Sequence, residues 1–420
     1  MFASKSVRIL HTSDWHLGRT LHEKSRDEEY DKFLCWLLET IERERIDVLL
    51  VAGDIFDTSH APHAAQQKYY DFCHLLMSTC CRHAVITSGN HDSAAFIDVP
   101  GNLLRNLNVH VVGQARFGVN KTSNASDEVI VLKDDKGSDI LIVAAVPFLS
   151  DGDIRLAEAG EDTETREEKM RRGMALHYGM VAEEAERVRA GRDIPVVAMG
   201  HLYVTGGRML DDDGVRTTYV GSLGGVGASI FSPAFDYVAL GHLHVPQCVG
   251  GNERIRYSGS PIPMGFGEAG QQKSVCMVTF KGRESSLTLV DVPCFQKLAR
   301  VVGNKAEIKA QLTELMDENE VVYVSVTYTG SNAVENVAAF VHEIIGESDI
   351  VRCLYTQNQA VRAQEEASGC SKEHMTLAEF TEENIFSRLL DYKCRESSPE
   401  ERQMLTEAFT ELLIRVKESS

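Results

Sequence analysis

The sequence predicts an α/β fold in which strands and helices form a layered sandwich. Short apolar, β-branched runs recur along the chain, at residues 7–10, 48–51, 84–87, 195–198 and 237–240. Runs of this length and composition that end at turn residues are typical of buried strands. Apolar side chains also recur at helical spacing over residues 28–45 and 63–79, between the first three strands. Strands that alternate with helices predict a layered α/β architecture.

Two further features continue this pattern towards the middle of the chain. Residues 128–132 and 139–146 predict a β-hairpin that turns at 134–137. An acidic, irregular stretch over 150–165 is followed by a long charged helix that extends to about residue 190.

A second, smaller domain is predicted after a linker at 281–297. Strand, helix and strand follow one another from about residue 298 to 360, with strands expected at 321–329 and 350–355. Asn332 and Glu335 predict a capping box at the start of the helix, and Gly346 predicts its end. The expected boundaries are a first domain at 1–280, the linker at 281–297, a small domain at 298–375 and a tail at 376–420.

The tail is predicted to form two amphipathic helices. Thr381 is the expected N-cap of a helix over 381–392, and Ser398, with Glu401 closing a capping box, begins a second helix over 399–418. The second helix carries a broad apolar stripe of seven residues: Met404, Leu405, Ala408, Phe409, Leu412, Leu413 and Val416. From the residues alone, this stripe could pack on the protein's own core or on another protein.

Composition limits the classes of protein that the chain can represent. No stretch approaches the roughly 18 uninterrupted apolar residues of a membrane helix, and residues 1–6 lack the features of a signal peptide. The ten cysteines form no Cys-x-x-Cys pair, so we expect free thiols in a reducing cytoplasm and no cysteine metal ligand. Lys and Arg number 43 against 62 acidic residues, a net charge of −19. Such a chain should bind DNA weakly by itself, because phosphate neutralisation provides most nucleic-acid affinity.

Polar motifs follow the predicted strands in a fixed order. They are Asp14-Trp15-His16, Gly53-Asp54, Gly89-Asn90-His91-Asp92, Gly200-His201 and Gly241-His242-Leu243-His244. The ends of strands are where open α/β sheets bind ligands. Carboxylate, amide and imidazole groups from five strand ends could hold two metal ions with one shared Asp. Each motif alone is weak, and a His-x-His pair could equally belong to a single zinc site, so the ordered series carries the prediction.

With these motifs the sequence resembles the calcineurin-like metallophosphoesterase superfamily. Residues 11–18, 51–58 and 239–244 match its motifs, and residues 257–263 match a stretch typical of the SbcD family, the nuclease subunits of bacterial SbcCD complexes. The resemblance covers about residues 7–280 strongly. It implies a layered metallophosphoesterase sandwich with a small α+β capping domain and a two-helix tail. Protein phosphatases of the superfamily carry an Arg after the second motif, which residues 55–58 lack.

The resemblance implies a role for each motif residue. Asp14, His16 and His244 are expected to bind one metal ion. Asn90, His201 and His242 are expected to bind the other, with Asp54 bridging the two. His91 would act as a general acid or orient the phosphate, with Asp92 as its partner. A ligand set without thiolate suits two divalent ions, Mn²⁺ or Fe²⁺ rather than structural zinc, and we expect Mn²⁺. Asp57 stands where archaeal and eukaryotic relatives carry His, which leaves its role open.

The same resemblance implies a function and partners. The expected activity is a metal-dependent DNA nuclease, an ATP-dependent 3′→5′ double-strand exonuclease and single-strand endonuclease in DNA repair, recombination and replication. The sequence has no Walker A motif, so ATP dependence would come from an SbcC-like ATPase docked on the C-terminal helices. Two copies would form a homodimer within a heterotetramer through residues 63–79 and 94–107, away from any membrane.

Two other functions are compatible with parts of the sequence. A stand-alone phosphodiesterase acting on small nucleotides would use the same metal ligands, but it would not need the small domain and the two-helix tail. A non-catalytic scaffold that bridges DNA ends would need the tail, but not the seven metal ligands. Activity on small diesters and metal content would separate these alternatives from the nuclease.

Overall fold

The computed structural model describes residues 6–115, 125–154, 163–208, 225–318, 320–330 and 336–359, together with Leu405 and Phe409. Met1–Tyr328 and Val334–Gln357 form one compact unit, and Thr329–Ala333 with Asn358–Ser420 form a second. All but a few of the described residues belong to the first unit.

The first main sheet has six strands. They are β1 (Val7–Thr12), β4 (Val48–Ala52), β5 (His83–Thr87), β6 (Val109–Val112), β13 (Ser274–Lys281) and β14 (Glu284–Asp291). Their order across the sheet is β14-β13-β1-β4-β5-β6. Strands β1, β4, β5 and β6 are mutually parallel, whereas β13 pairs antiparallel with β1 and with β14. A short antiparallel hairpin, β2 (Thr20–Leu21) and β3 (Lys24–Ser25), follows β1.

The second main sheet also has six strands. They are β7 (Val129–Lys133), β8 (Asp139–Ala145), β9 (Val196–His201), β10 (Tyr237–Gly241), β11 (Gln247–Val249) and β12 (Asn252–Tyr257). Their order across the sheet is β11-β12-β10-β9-β8-β7. Strands β8, β9, β10 and β12 are mutually parallel. Strands β7 and β8 pair antiparallel, which confirms the predicted hairpin.

The two sheets pack face to face and are covered by helices on their outer faces. Alternate residues of each central strand, such as Leu50 of β4 and Val197 of β9, meet in one apolar core between the sheets. Helices α1 (Asp27–Glu44) and α2 (His63–Leu76) contribute to a second core outside the first sheet. Helix α6 (Thr163–Arg189) contributes to a third core outside the second sheet. Burial on both faces explains why these strands are continuous apolar runs, and the layered α/β fold is confirmed.

The described residues of this part of the chain also contain three short α-helices. They are α3 (Ala94–Asp98), α4 (Gly101–Arg105) and α5 (Asp151–Ile154). Among the described helices, none is long and apolar enough to cross a membrane.

The predicted linker at 281–297 differs from the structure, because Glu284–Asp291 forms strand β14 of the first sheet. Strand β14 lies at the edge of that sheet and most of its side chains are exposed. An exposed edge strand does not need the apolar run that identifies a buried strand, so its polar sequence is easily taken for a linker.

The small domain is a three-stranded sheet with two helices. It contains β15 (Lys297–Gly303), helix Lys305–Met316, β16 (Val322–Tyr328), helix Val337–Ile345 and β17 (Val351–Asn358). The predicted strand at 321–329 and the helix end at Gly346 are confirmed. The predicted box of Asn332 and Glu335 lies outside the described residues, and the helix has Asn336 as its N-cap.

Strand β15 and helix Lys305–Met316 extend this domain beyond the predicted strand, helix and strand. Asn304 and Glu307 form a complete capping box at the start of this helix. The same Asn-x-x-Glu spacing is present in the sequence and could have identified the helix. The predicted tail helices at 381–392 and 399–418 lie outside the described residues except for Leu405 and Phe409.

Candidate metal centre

The sequence-predicted ligands meet where the two sheets present the ends of their parallel strands. Strands β1, β4 and β5 of the first sheet are followed by the ligands Asp14, His16, Asp54 and Asn90. Strand β9 of the second sheet ends at His201, and β10 is followed by His242 and His244. Because the carboxyl ends of parallel strands lie at one edge of a sheet, each sheet delivers its ligands at one edge.

Backbone hydrogen bonds fix the loops that carry the first-sheet ligands. The amide of Asp14 donates to the carbonyl of Gly53, and the amide of His16 donates to the carbonyl of Asp54, both at 3.0 Å. Asp14, His16 and Asp54 have φ values of 53°, 49° and 51°. Residues other than glycine seldom adopt this left-handed conformation, and such strain tends to persist at functional sites. The loops therefore hold their side chains in one orientation.

Glycines allow the two sheets to approach each other at this edge. A Cβ atom on Gly241 would lie 1.9 Å from the carbonyl oxygen of Ala52. A Cβ atom on Gly53, whose φ is +81°, would lie 2.2 Å from Nδ1 of His201. Gly53 and Gly241, each of which precedes an expected ligand, are therefore required by the close packing of one sheet end against the other.

Asp14, His16 and His244 form one group of ligands, which we call the first subsite. All three side chains are buried, and one ligand atom from each lies within 4.8 Å of the others. The Nε2 atoms of His16 and His244 are 3.2 Å apart. The backbone amide of His242 also donates to Oδ1 of Asp14 at 2.9 Å, which joins the two sheets at this point.

Asn90, His201 and His242 form the second subsite. Oδ1 of Asn90 lies 3.0 Å from Nε2 of His201 and 3.1 Å from Nδ1 of His242. Oδ2 of Asp54 lies 3.2 Å from Nε2 of His201 and 3.6 Å from Nε2 of His16. The structure thus places Asp54 between the two subsites, as the sequence predicted for a bridging ligand.

The electrostatics of this centre favour a cation beside Asp54. Burial acts to lower the pKa of His201, but the Asp54 carboxylate outweighs it and raises that pKa to about 9. Burial, reinforced by the neighbouring His201, lowers the pKa of His242 to about 3. Buried carboxylates, an amide oxygen and imidazoles, which bind metals in their neutral form, make up a donor set that suits divalent metal ions of the first transition row. The residues present therefore fit a pair of such ions.

His91 lies next to the centre without joining either subsite. Its backbone amide donates to Oδ1 of Asp54 at 2.9 Å, and its Nδ1 lies 2.6 Å from the carbonyl oxygen of Asp57. A carbonyl oxygen can only accept, so Nδ1 of His91 carries a hydrogen. This bond fixes the ring and leaves Nε2 as the nitrogen that can exchange a proton.

The hydrogen bonds recorded for Asp92 are with backbone amides, and none among the described residues joins it to His91, its expected partner. The Asp92 carboxylate accepts hydrogen bonds from the backbone amides of Gly89, Ile55 and Phe56, at 2.8, 3.1 and 2.9 Å. Both carboxylate oxygens thus join the loop after β5 to the loop after β4. Asp92 binds these amides because the turn directs its side chain towards them.

Two carboxylates lie beside Nδ1 of the two histidines of the first subsite. Asp57, whose role the sequence left open, lies 3.4 Å from Nδ1 of His16. Glu268, which sequence reasoning missed, lies 3.5 Å from Nδ1 of His244 and is fully buried. No ligand spacing marks Glu268, and the one signal was its position shortly after the family-specific stretch at 257–263.

His11, which belongs to no ligand motif, has a structural role. It is buried between the two sheets, where its Nδ1 lies 3.0 Å from the hydroxyl of Tyr237. This contact joins β1 of the first sheet to β10 of the second.

Comparison with known proteins supports this site. The family model for calcineurin-like phosphoesterases matches residues 7–246, and a model described as type 5 capsule protein repressor C-terminal domain matches residues 294–393. A solved dimetal phosphatase from Danio rerio gives a TM-score of 0.36 at 11% identity over 68% of this chain and 99% of that one, too low to support an argument.

Relatives named as SbcD subunits of the SbcCD nuclease match most of the chain. The protein from Escherichia coli (strain K12) is 34% identical over 97% of this chain and 98% of its own length. Those from Rhodobacter capsulatus and Bacillus subtilis are 37% and 31% identical, over 66% and 79% of this chain and 67% and 82% of their own lengths. The chain therefore belongs to the calcineurin-like phosphoesterases and, within them, to the SbcD family of SbcCD nuclease subunits.

Proposed function

We propose that this chain is the metal-dependent nuclease subunit of an SbcCD-type complex and cleaves DNA phosphodiester bonds. The observation that carries the proposal is the pair of buried subsites joined by Asp54, since two adjacent metal ions stabilise both the attacking and the leaving oxygen of an in-line displacement at phosphorus. The names of the relatives supply the substrate class, because phosphoesterases with this donor set act on several kinds of ester.

The chemistry divides between the metal ions and the chain. Two divalent ions, when bound, would polarise the phosphodiester, activate water and stabilise the charge of in-line displacement. Asp14, Asp54 and Asn90 supply oxygen ligands, and the buried imidazoles supply nitrogen ligands. His91 holds a proton at Nε2 for transfer to the leaving oxygen, and its bond to the Asp57 carbonyl orients the ring.

The finer activity that we propose is ATP-dependent 3′→5′ exonuclease action on double-stranded DNA and endonuclease action on single strands, in DNA repair and recombination in the cytoplasm. The net charge of −19 supports the need for a partner to hold DNA. The absence of a Walker A motif from the sequence supports an ATPase partner of the SbcC type, docked on the C-terminal helices.

A homodimer through the region of α2, α3 and α4 is part of the proposal. Large apolar side chains are exposed there: Val99 and Leu103 are 83% and 68% accessible, and Leu75 and Met77 about half. Solvent-exposed apolar groups of this size favour an interface when they lie in one patch. Sedimentation of the free chain, compared with a Leu103→Asp variant, tests this part.

The nuclease itself is tested with the chain and its co-expressed ATPase on linear double-stranded DNA. We expect EDTA to abolish cleavage and Mn²⁺ to restore it better than Mg²⁺, because Mg²⁺ disfavours imidazole ligands. Cyclic nucleotides and bis-p-nitrophenyl phosphate are assayed in parallel. Hydrolysis of these small diesters with no cleavage of DNA would identify a stand-alone phosphodiesterase instead.

The partner is tested through the tail. Phe409→Asp combined with Leu412→Asp removes two large apolar side chains, each of which contributes roughly 1.5–3 kcal/mol when buried. We expect loss of co-purification with the ATPase and of ATP-stimulated DNA cleavage, with metal-dependent hydrolysis of bis-p-nitrophenyl phosphate unchanged. If the variant precipitates or loses its metals, the tail packs on the protein's own core.

A further inference from the structure

The two metal subsites differ in the groups that contact the outer nitrogens of their imidazole rings. In the first subsite, the Nε2 atoms of His16 and His244 face each other at 3.2 Å. The outer nitrogen of each ring, Nδ1, faces a carboxylate oxygen. These contacts are 3.4 Å from His16 to Asp57 and 3.5 Å from His244 to Glu268. Both ligand rings of this subsite therefore lie between the metal position and a carboxylate.

Each of these carboxylates is itself held by a cation, Arg19 for Asp57 and Lys273 for Glu268. Nη1 of Arg19 donates to Oδ1 of Asp57 at 3.0 Å, and Nε of Arg19 donates to the carbonyl of Met264 at 3.2 Å. Such anchoring keeps the Asp57 carboxylate beside the ring when no metal orders it.

Glu268 is anchored more firmly, because it is fully buried. Its Oε2 forms an ion pair with Nζ of Lys273, which also donates to the carbonyl of His244 and to the hydroxyl of Ser260, both at 3.0 Å. The backbone amide of Met264 donates to the same carboxylate oxygen at 3.1 Å. Its other oxygen, Oε1, lies 3.5 Å from Nδ1 of His244.

The second subsite lacks this arrangement. Nδ1 of His201 lies 3.0 Å from the carbonyl oxygen of Ala52, a neutral acceptor. His242 turns Nδ1 inward to Asn90. Among the residues that the structure describes, no carboxylate forms an ion pair with the outer nitrogen of either ring.

A carboxylate behind a ligand imidazole changes metal affinity in a known direction. It fixes the tautomer and the orientation of the ring and makes the inner nitrogen a stronger donor. Loss of such a partner typically lowers metal affinity by about 10- to 100-fold. A carbonyl oxygen orients the ring but adds no negative charge.

We propose that Asp57 and Glu268 are positioning residues that make the first subsite, formed by Asp14, His16 and His244, the tighter of the two metal subsites. The proposal rests on the two-metal function proposed above. It gives Asp57 a role in metal binding that does not require contact with the substrate.

The test is a Mn²⁺ titration of the metal-free full chain, with free Mn²⁺ measured by electron paramagnetic resonance. We expect two binding steps for the unmodified chain. Asn90→Ala should remove the weaker step and leave the tighter one. Glu268→Gln and Asp57→Asn, which preserve shape but remove the charge, should each weaken the tighter step about 10- to 100-fold. Both should leave the weaker step within about twofold.

Glu128→Gln is the matched control. Glu128 is also a buried carboxylate facing a histidine, with Oε2 2.8 Å from Nε2 of His177, but it lies outside both subsites. This variant should bind Mn²⁺ as the unmodified chain does. If removal of any buried carboxylate weakened Mn²⁺ binding, Glu128→Gln would weaken it as well.

The outcomes separate this proposal from the proposed function. A chain that binds fewer than two Mn²⁺ ions contradicts the two-metal function. The proposal for Asp57 and Glu268 is overturned if the two Mn²⁺ ions bind with equal affinity. It is also overturned if the variants leave the tighter step unchanged or weaken both steps equally. These outcomes leave the two-metal function standing. If Glu268→Gln fails to fold, Asp57→Asn decides the question. The Asp57 side chain is 25% exposed, so the fold tolerates the loss of its charge better.

Discussion

The two sheets of the sandwich contribute different chemistry to the same centre. The first sheet supplies every oxygen ligand, Asp14, Asp54 and Asn90, and one imidazole. The second sheet supplies imidazoles only, from His201, His242 and His244. Neither sheet alone brings together the expected ligands of either subsite, so the candidate metal centre depends on the packing of the two sets of strand ends.

Contacts between the sheets explain how this packing is held. The amide of His242 donates to Asp14, Nδ1 of His201 lies against the carbonyl of Ala52, and His11 pairs with Tyr237. Each contact joins one sheet to the other near the ligands. Substitutions at the expected ligands should therefore change metal content and hydrolysis rate, whereas substitutions at the interface should change the unfolding free energy. Four substitutions test this, in order of decreasing expected effect.

Asp54→Ala should have the largest effect, because Asp54 is the one ligand that lies between both subsites. We expect loss of both metal ions and of hydrolysis of bis-p-nitrophenyl phosphate to background. Metal content by mass spectrometry and the hydrolysis rate measure this. Asp135→Ala, which removes an exposed carboxylate of the β7–β8 turn, should retain both. Two retained ions in Asp54→Ala would show that the sheets hold their metals independently.

His91→Ala should separate the first sheet's catalytic contribution from its ligands. We expect both metal ions to remain and the rate to fall by about 10²–10⁴, the usual effect of losing a positioned acid or base. His60→Ala, at an exposed histidine after β4, is the matched control and should change neither quantity. Metal loss in His91→Ala equal to that of Asp54→Ala would make His91 a ligand.

Gly241→Ala should weaken the packing of the second sheet against the first. The added Cβ would lie 1.9 Å from the carbonyl oxygen of Ala52, and such overpacking costs about 1–3 kcal/mol of unfolding free energy. We expect this loss in urea denaturation together with weaker Mn²⁺ binding. Gly101→Ala, where a Cβ meets no atom within 4 Å, should not lower the unfolding free energy. Unchanged Mn²⁺ binding in Gly241→Ala would show that the ligands tolerate a wider gap between the sheets.

His11 should give the interface a small dependence on pH. Burial lowers the pKa of His11 to about 3, whereas in the unfolded chain it is about 6.5. Below pH 6.5 the unfolded chain takes up a proton that the folded chain excludes, so stability falls as pH decreases towards 3. The loss is about 1.4 kcal/mol per pH unit in this range.

Urea denaturation of the metal-free chain at pH 7 and pH 5.5 measures this effect. We expect His11→Gln to be less stable at pH 7 but to lose about 1 kcal/mol less on acidification. An identical pH dependence in the two proteins would show that His11 is protonated without cost, and that this sheet contact is more hydrated than the structure indicates.

The sequence by itself predicted the layered fold, which the structure confirms, and seven expected metal ligands at the ends of strands. Continuous apolar runs identify strands that are buried on both faces, and glycine followed by His, Asp or Asn marks the expected ligand after four of the five strands. These signals are local, since the apolar residues of a run and the turn residues that end it are near one another in the chain. The bridging position of Asp54 was implied by the resemblance to the metallophosphoesterase superfamily, and its carboxylate lies between the two groups of side chains.

Only the tertiary structure decided what supports the ligands. Asp92 accepts hydrogen bonds from three backbone amides, and the Glu268 carboxylate lies beside Nδ1 of His244. Strand β14 continues the first sheet through a segment with no continuous apolar run. These outcomes depend on where side chains point and on which segments lie beside them. Sequence spacing does not specify these contacts, because they form only when the ends of both sheets close on one another.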